Sequence, residues 1–193
     1  MKRMVDGQRD LNEGRIVRRA REGDQVAFQR LVEMFNVMAW QTICVLVRER
    51  TAAEDTLQEV WTDVWRGLPG FQQGRAFRPW LLTVVANRCR KTTRRPSLPQ
   101  QPIDALVLER LVAPDEAADR SLRQETRQEL QDLLRELSAD QQRVLELRYF
   151  ADLELAEIAV VMETSVGTVK SRLHRALRHL RKHLCSDRVA TEM

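Results

Sequence analysis

Tyrosine occurs once, glycine seven times and cysteine three times in 193 residues. With 43% hydrophobic residues, that scarcity leaves little material for tight-turned β-structure and favours a helical, soluble protein. Cys44, Cys89 and Cys185 are far apart and odd in number, which argues against a disulfide framework and fits a reducing cytoplasm. No apolar run approaches the roughly 20 residues that a membrane-crossing helix needs. Met1–Arg21 is charged throughout, so no secretory signal is expected, and the sequence ends a few residues after the last helix pattern, so no appended sensory domain is expected. No catalytic base, nucleophile or metal cluster is legible, so neither an enzyme nor a cofactor is expected. His179 and His183 are four apart with Cys185 nearby, but no fourth zinc ligand is in view.

Three stretches lack charge of one sign, and they say more than the net charge of +4. No basic residue occurs from Thr51 to Trp65, no acidic one from Arg66 to Arg95, and no acidic one between Ser165 and Ser186. The charges are segregated into blocks, each suited to a different kind of partner.

The first block reads as an amphipathic helix with Leu57, Val60, Trp61 and Val64 along one side. Glu54, Asp55, Glu59 and Asp63 make it acidic. Carboxylates near a helix N-terminus also suit an ordinary surface helix. An acidic helix in a basic chain will not seek DNA; a basic protein surface is its natural complement.

The second block gathers Arg66, Arg75, Arg78, Arg88, Arg90, Lys91, Arg94 and Arg95, with Phe71, Phe77 and Trp80 interleaved. Basic side chains track phosphates, and aromatic rings give unstacked bases a platform. Trp80, Leu81, Val84 and Val85 fall at helical spacing and read as core, with Pro79 in the first turn of their helix. Phe77, between Arg75 and Arg78 after a glycine, is the ring expected to touch nucleic acid.

The third block, Leu153 to Leu184, reads as two helices joined by a tight turn. Leu155, Ile158, Ala159 and Met162 share one side of the first; Val166, Val169, Leu173, Leu177, Leu180 and Leu184 share one side of the second. Thr164 or Ser165 can cap the second helix, whose other face carries Lys170, Arg172, Arg175, Arg178, Arg181 and Lys182. A basic face is often merely solvated, but the short helix and capped turn before it make a helix-turn-helix.

Four of the six prolines, Pro96, Pro99, Pro102 and Pro114, lie between the blocks and mark a linker. Asp104, Glu109, Asp115, Glu116, Asp119, Glu125 and Glu129 make the linker and the start of the second domain acidic. The expected fold is all-α, with two small helical domains at 16–95 and 122–185 joined by the linker at 96–121. The first domain opens with a helical pattern from Ala27 to Val47 that buries Phe28, Leu31, Phe35, Met38 and Val45 or Leu46. The second is scaffolded by helices Leu122–Leu137 and Ala139–Phe150, the latter capped by Ser138.

Two segments carry a resemblance. SVGTVKSRLHRALRHLRK resembles the C-terminal DNA-binding segment of bacterial sigma-70 family factors, particularly the extracytoplasmic-function (ECF) group. AEDTLQEVWTDVWRGLPGF, with Asp55, Gln58 and Glu59 in a D-x-x-Q-E spelling, is similar to that family's core-polymerase-binding element. The resemblance covers nearly the whole chain. It implies a factor that binds core RNA polymerase and directs promoter recognition, working in the cytoplasm, with an anti-sigma factor as a further candidate partner.

By the same resemblance, Asp55, Gln58, Glu59 and Trp61 would meet the polymerase. Arg75, Phe77, Arg78, Asn87, Arg88 and Lys91 would open and read the −10 element. Thr168, Lys170, Ser171, Arg172, His174 and Arg175 would read the −35 element from the major groove. The acidic linker would run near the RNA exit path. Two departures stand out: Glu163 occupies a turn position where the family often has glycine, and Lys91 lies where many relatives are acidic. The alternative is a stand-alone helix-turn-helix regulator, which leaves the acidic helix and the basic aromatic loop without a purpose.

Overall fold

The computed structural model describes residues 13–72, 74–93 and 132–190, with side chains described as far as Lys182. Among these residues the regular elements are all helical. The chain divides into two compact units, Met1–Ser97 and Leu98–Met193.

The first unit starts with α1, residues 13–21, which turns back through Gly23 at a φ of +89°. A side chain would strain that backbone, so glycine suits the corner. Helix α2, Gln25–Val47, begins where the Asp24 carboxylate accepts from the Val26 and Ala27 N–H groups at 2.9 and 3.1 Å. It ends at Arg48, whose left-handed φ of +61° lets its N–H reach the Cys44 carbonyl. Helix α3, Arg50–Gly67, repeats the device: Glu49 accepts from Thr51 and Ala52 at 2.8 and 2.6 Å. A 3-10 turn at Leu68–Gly70 and a loop then lead to α4, Phe77–Thr93.

Helices α2, α3 and α4 pack on one another around Leu31, Phe35, Ile43, Val60, Val64, Leu81 and Val85, all buried. Each large apolar side chain so enclosed contributes about 1.5–3 kcal/mol. The expected core of α2 holds with adjustment: Phe28 and Met38 are only partly buried, while Ala39, Ile43 and Val45 are closed off. By length and composition α2 could cross a membrane, which a search for unbroken apolar runs does not reveal; its apolar face instead forms this core.

The second unit contains a helical turn at 132–135, then α5 (Ala139–Tyr149), α6 (Leu155–Val161) and α7 (Val166–Ala190). Ser138 caps α5 in a reciprocal box: its hydroxyl accepts from the Gln141 N–H, and its own N–H donates to Gln141 Oε1 at 3.0 Å. The Gln142 amide donates to the Leu134 and Leu137 carbonyls at 2.7 and 3.1 Å, stitching the turn to α5. Leu134, Leu137, Leu145 and Ala176 form a core with Leu173, Leu177 and Leu180 packed against it. Of the expected helix Leu122–Leu137 only 132–137 is described, with 132–135 helical, and the proline-containing linker with its acidic residues lies outside the described residues.

Candidate nucleic-acid and protein interfaces

One arginine sets the geometry of the first surface. Arg88 of α4 reaches α3, where its Nε donates to Asp63 Oδ2 at 2.9 Å, its Nη2 also donates to Asp63, and its Nη1 donates to Glu59 Oε2 at 3.2 Å. The Asp63 hydrogen bond leads the causes that raise the Arg88 pKa further, so the guanidinium is held charged. Asp55, Gln58, Glu59, Thr62 and Asp63 from α3, with Arg66 and Arg88, line a shallow depression of about 450 Å³. Asp55, Gln58 and Glu59 are exposed as the spacing anticipated. Arg66 and Arg88, both members of the basic block that the sequence assigns to nucleic acid, edge this acidic face.

Trp61 departs from expectation. It is half-buried, donates from Nε1 to Asn36 Oδ1 at 2.9 Å and meets Phe28 edge-on at 6.2 Å. The indole fastens α3 to α2 and has little surface to offer a partner. Trp65 is the exposed indole, sitting 4.8 Å from Phe28.

Phe77 is corrected outright. Only 1% of it is exposed, and its ring lies 5.2, 5.9 and 5.6 Å from those of Phe35, Phe71 and Trp80. Burying 150–250 Å² of ring outweighs any benefit of waiting in solvent for a base. Phe71 and Phe77 therefore pin the two ends of the loop, and Gly74, at a φ of +86°, turns it between them. Close packing extends to Gly67, where a Cβ would stand 3.3 Å from Trp80. Arg75 is exposed on the loop, Arg78 is half-buried at the start of α4, and Asn87 and Lys91 are exposed along α4. Arg90 donates to the Asn87 side-chain carbonyl, which holds that amide oriented.

Arg88 is corrected in part. Its side chain is 21% exposed and tied to two carboxylates, so it serves the α3–α4 contact. The Thr56 and Thr92 hydroxyls, 3.0 Å apart, join the same helices nearby. Cys89 faces the core beneath; burial pushes its thiol up to about 12, leaving it neutral and unreactive at pH 7.

The second surface is the helix-turn-helix. Leu153 enters buried, and Glu154 N–H donates to Glu157 Oε2 at 2.9 Å to start α6. Ile158, Ala159 and Val161 are buried, and Leu155 and Met162 are half-buried. Glu163 takes a φ of +49°, the left-handed geometry that its position in the turn demands, at a cost of about 1 kcal/mol. Of the two capping candidates Ser165 caps α7: its Oγ accepts from the Thr168 N–H at 3.0 Å and pairs with the Thr168 hydroxyl at 2.9 Å. Val169 and Ala176 are buried, whereas Val166 is 39% exposed and leaves the apolar face expected for it.

Lys170, Ser171, His174 and Arg175 are exposed on α7, while Thr168 and Arg172 are half-buried. Arg175 folds back onto Ser171, with Nε donating to the carbonyl at 3.2 Å and Nη2 to Oγ at 3.1 Å. Arg178 Nη2 lies 2.8 Å from His174 Nε2. A guanidinium only donates, so that nitrogen accepts and His174 carries its proton on Nδ1. Arg172 pairs with Asp140 of α5, a partner that the sequence did not disclose. Asp140 sits in the first turn of α5, and no sequence spacing relates it to Arg172.

Among the described residues no group of three His, Cys, Asp or Glu side chains is placed to hold a metal. His179 Nε2 instead lies 2.9 Å from Glu136 Oε2 and donates to it. Two separate surfaces remain: an acidic face on α3 beside a basic α4, and a capped basic helix presented by a helix-turn-helix.

The chain is similar to known proteins in sequence and fold. The profile described as Sigma-70 region 2 matches residues 31–97, and that described as Sigma-70, region 4 matches 127–180. The RNA polymerase sigma-H factor of Pseudomonas aeruginosa is 30% identical over 182 residues, covering 88% of this chain and 92% of that one. The ECF RNA polymerase sigma factor BldN of Streptomyces coelicolor is 31% identical over 178 residues, covering 89% of this chain and 66% of its own length. Among solved structures, CnrH in complex with the cytosolic domain of CnrY aligns with a TM-score of 0.61 at 24% identity, over 91% of this chain and 98% of that one. RpoE from Bartonella quintana, in complex with the anti-sigma factor NepR, aligns with a TM-score of 0.57 at 21% identity, over 83% and 98%. Both share the fold.

Proposed function

The chain belongs to the sigma-70 family of RNA polymerase sigma factors, in the ECF group, and we propose how its two surfaces divide the work of initiation. It binds core RNA polymerase and directs the polymerase to promoters; the bond-making chemistry is the polymerase's. On our reading, residues 16–95 form region 2, 96–121 the linker and 122–185 region 4.

In region 2 the exposed carboxylates of Asp55 and Glu59, with Gln58 between them, meet a cationic polymerase surface. Neutralising opposite charge across such a contact speeds encounter and fixes its register. Arg75, Asn87 and Lys91 then face the opened −10 DNA, Asn87 being the group able to read a base edge. In region 4 the N-terminal turns of α7 enter the major groove. Lys170 and Ser171 reach base edges and phosphates there, and Arg175 and Arg178 follow the backbone. Phosphate contacts dominate the affinity, so binding weakens steeply with salt.

One observation carries this reading: an exposed acidic helix face lies directly against a basic helix in a single unit. A stand-alone helix-turn-helix regulator has use for α6 and α7 but none for that acidic face. Such a factor acts in the cytoplasm, where polymerase and chromosome meet. An anti-sigma partner is part of the proposal, supported by RpoE from Bartonella quintana, which shares the fold and was solved with the anti-sigma factor NepR. The experiment is size-exclusion chromatography with bacterial core polymerase. Co-elution at stoichiometric ratio is expected; separate elution under conditions where a known sigma factor binds would overturn the polymerase-docking half of the reading.

A further inference from the structure

We propose that Arg88 is a latent DNA-phosphate contact, held by Asp63 and Glu59 in the free protein and released when a cationic partner occupies the α3 face. This rests on the reading of α3 as the polymerase face and α4 as a DNA face.

The geometry places one guanidinium between two jobs. Arg88 stands one residue after Asn87 and three before Lys91, both exposed on α4. Its guanidinium nevertheless turns to α3, where Asp63 and Glu59 take it. Those carboxylates are not sealed away: the Asp63 and Glu59 side chains are 31% and 52% exposed, and both line the depression that also presents Asp55 and Gln58. A lysine or arginine arriving from a partner would compete with Arg88 for the same oxygens. Each carboxylate that turns to the newcomer weakens the hold on Arg88, and the freed guanidinium has a phosphate as its next-best acceptor. Linkage makes this reciprocal: whatever favours the released state of Arg88 also favours the partner on α3. The free chain would then hold DNA weakly at α4, and docking would strengthen that hold without any rearrangement of the helices.

The test measures binding of a fluorescent oligo-dT, roughly the length of the single strands such grooves track, by anisotropy across a salt series, using the full chain alone. Asp63→Asn removes the negative charge of the main acceptor of Arg88, and Glu33→Gln removes one charge from α2, where its partner is Gln29 rather than an arginine. Asp63→Asn should bind about three- to tenfold tighter than Glu33→Gln. Its plot of log affinity against log salt should steepen by about 0.7, the increment for one added phosphate on a single strand. Adding Arg88→Gln to Asp63→Asn should abolish both changes. Glu59→Gln, which leaves the Asp63 pair intact, gives a smaller gain of the same sign and serves if Asp63→Asn does not fold. Equal affinity and slope for Asp63→Asn and Glu33→Gln, or a gain that survives Arg88→Gln, would overturn the proposal. Lys91→Ala separates failure of the latch from failure of the DNA face. If it weakens oligo-dT binding while Asp63→Asn has no effect, α4 is a DNA face and only the latch is wrong; if it changes nothing, the DNA reading of α4 falls and the latch with it.

Discussion

Arg172 of α7 and Asp140 of α5 form an ion pair, Nη2 to Oδ2 at 2.5 Å, within the helix-turn-helix unit. One of the two arginines that the resemblance assigns to the −35 element is thus shared with the scaffold beneath it. Partly exposed pairs of this kind contribute about 0–1 kcal/mol. Asp140→Asn should therefore shift the melting temperature little, while Arg172→Ala should cut run-off transcription from a −35-dependent promoter. A loss of transcription matched by an equal loss in Asp140→Asn would assign Arg172 to the fold and not to the groove.

Phe77 tests the opposite assignment. Its ring is enclosed by Phe35, Phe71 and Trp80, so Phe77→Ala should destabilise the first unit by about 3–5 kcal/mol in chemical unfolding. Unchanged stability would restore the exposed-ring role that its neighbours Arg75 and Arg78 suggest.

Asp55 is exposed on α3, in the depression that Glu59, Asp63 and Arg88 also line, but the Arg88 hydrogen bonds go to Asp63 and Glu59. Asp55→Lys should weaken core polymerase binding by about tenfold, on the order of 1.4 kcal/mol, with the unfolding midpoint unmoved. Full affinity in the reversed-charge variant would place the polymerase contact elsewhere.

The helix caps predict an acid limit. Backbone N–H bonds, led by Ala27 for Asp24 and by Ala52 for Glu49, hold both carboxyls below their ordinary values of 3.8 and 4.5. A group depressed in the folded state takes up its proton first in the unfolded chain. The caps' stabilisation is complete above those ordinary values and is lost as pH falls through the lower folded ones. The melting temperature should decline on acidification below about pH 4.5, and less steeply in Asp24→Asn/Glu49→Gln, which starts without the charged caps. Parallel declines would show that the caps do not set the acid limit.

Much of this was legible in the chain because the signals were local. The apolar spacing located α2, α3 and α4 to within a few residues, and Ser138 and Ser165 mark the starts of α5 and α7 as capping chemistry requires. The left-handed Glu163 was implied by the family resemblance, in which glycine is frequent at that turn position. What sequence spacing did not carry was the choice among side chains with two uses. Phe77 could touch solvent or core, Trp61 a partner or Asn36, and Arg88 and Arg172 a phosphate or a carboxylate on another helix. Those choices depend on residues 25 or more positions away, brought close only by packing, and in the free protein the intramolecular partner wins each time.

The decisive experiment is run-off transcription by bacterial core polymerase, with and without this chain, on a library of promoter fragments. Specific transcripts should appear only when the protein is added, and their promoters should share sequence elements near −10 and −35. Duplex DNA binding by the protein alone, with no transcript from any fragment, would contradict its role as the promoter-recognising subunit of the polymerase.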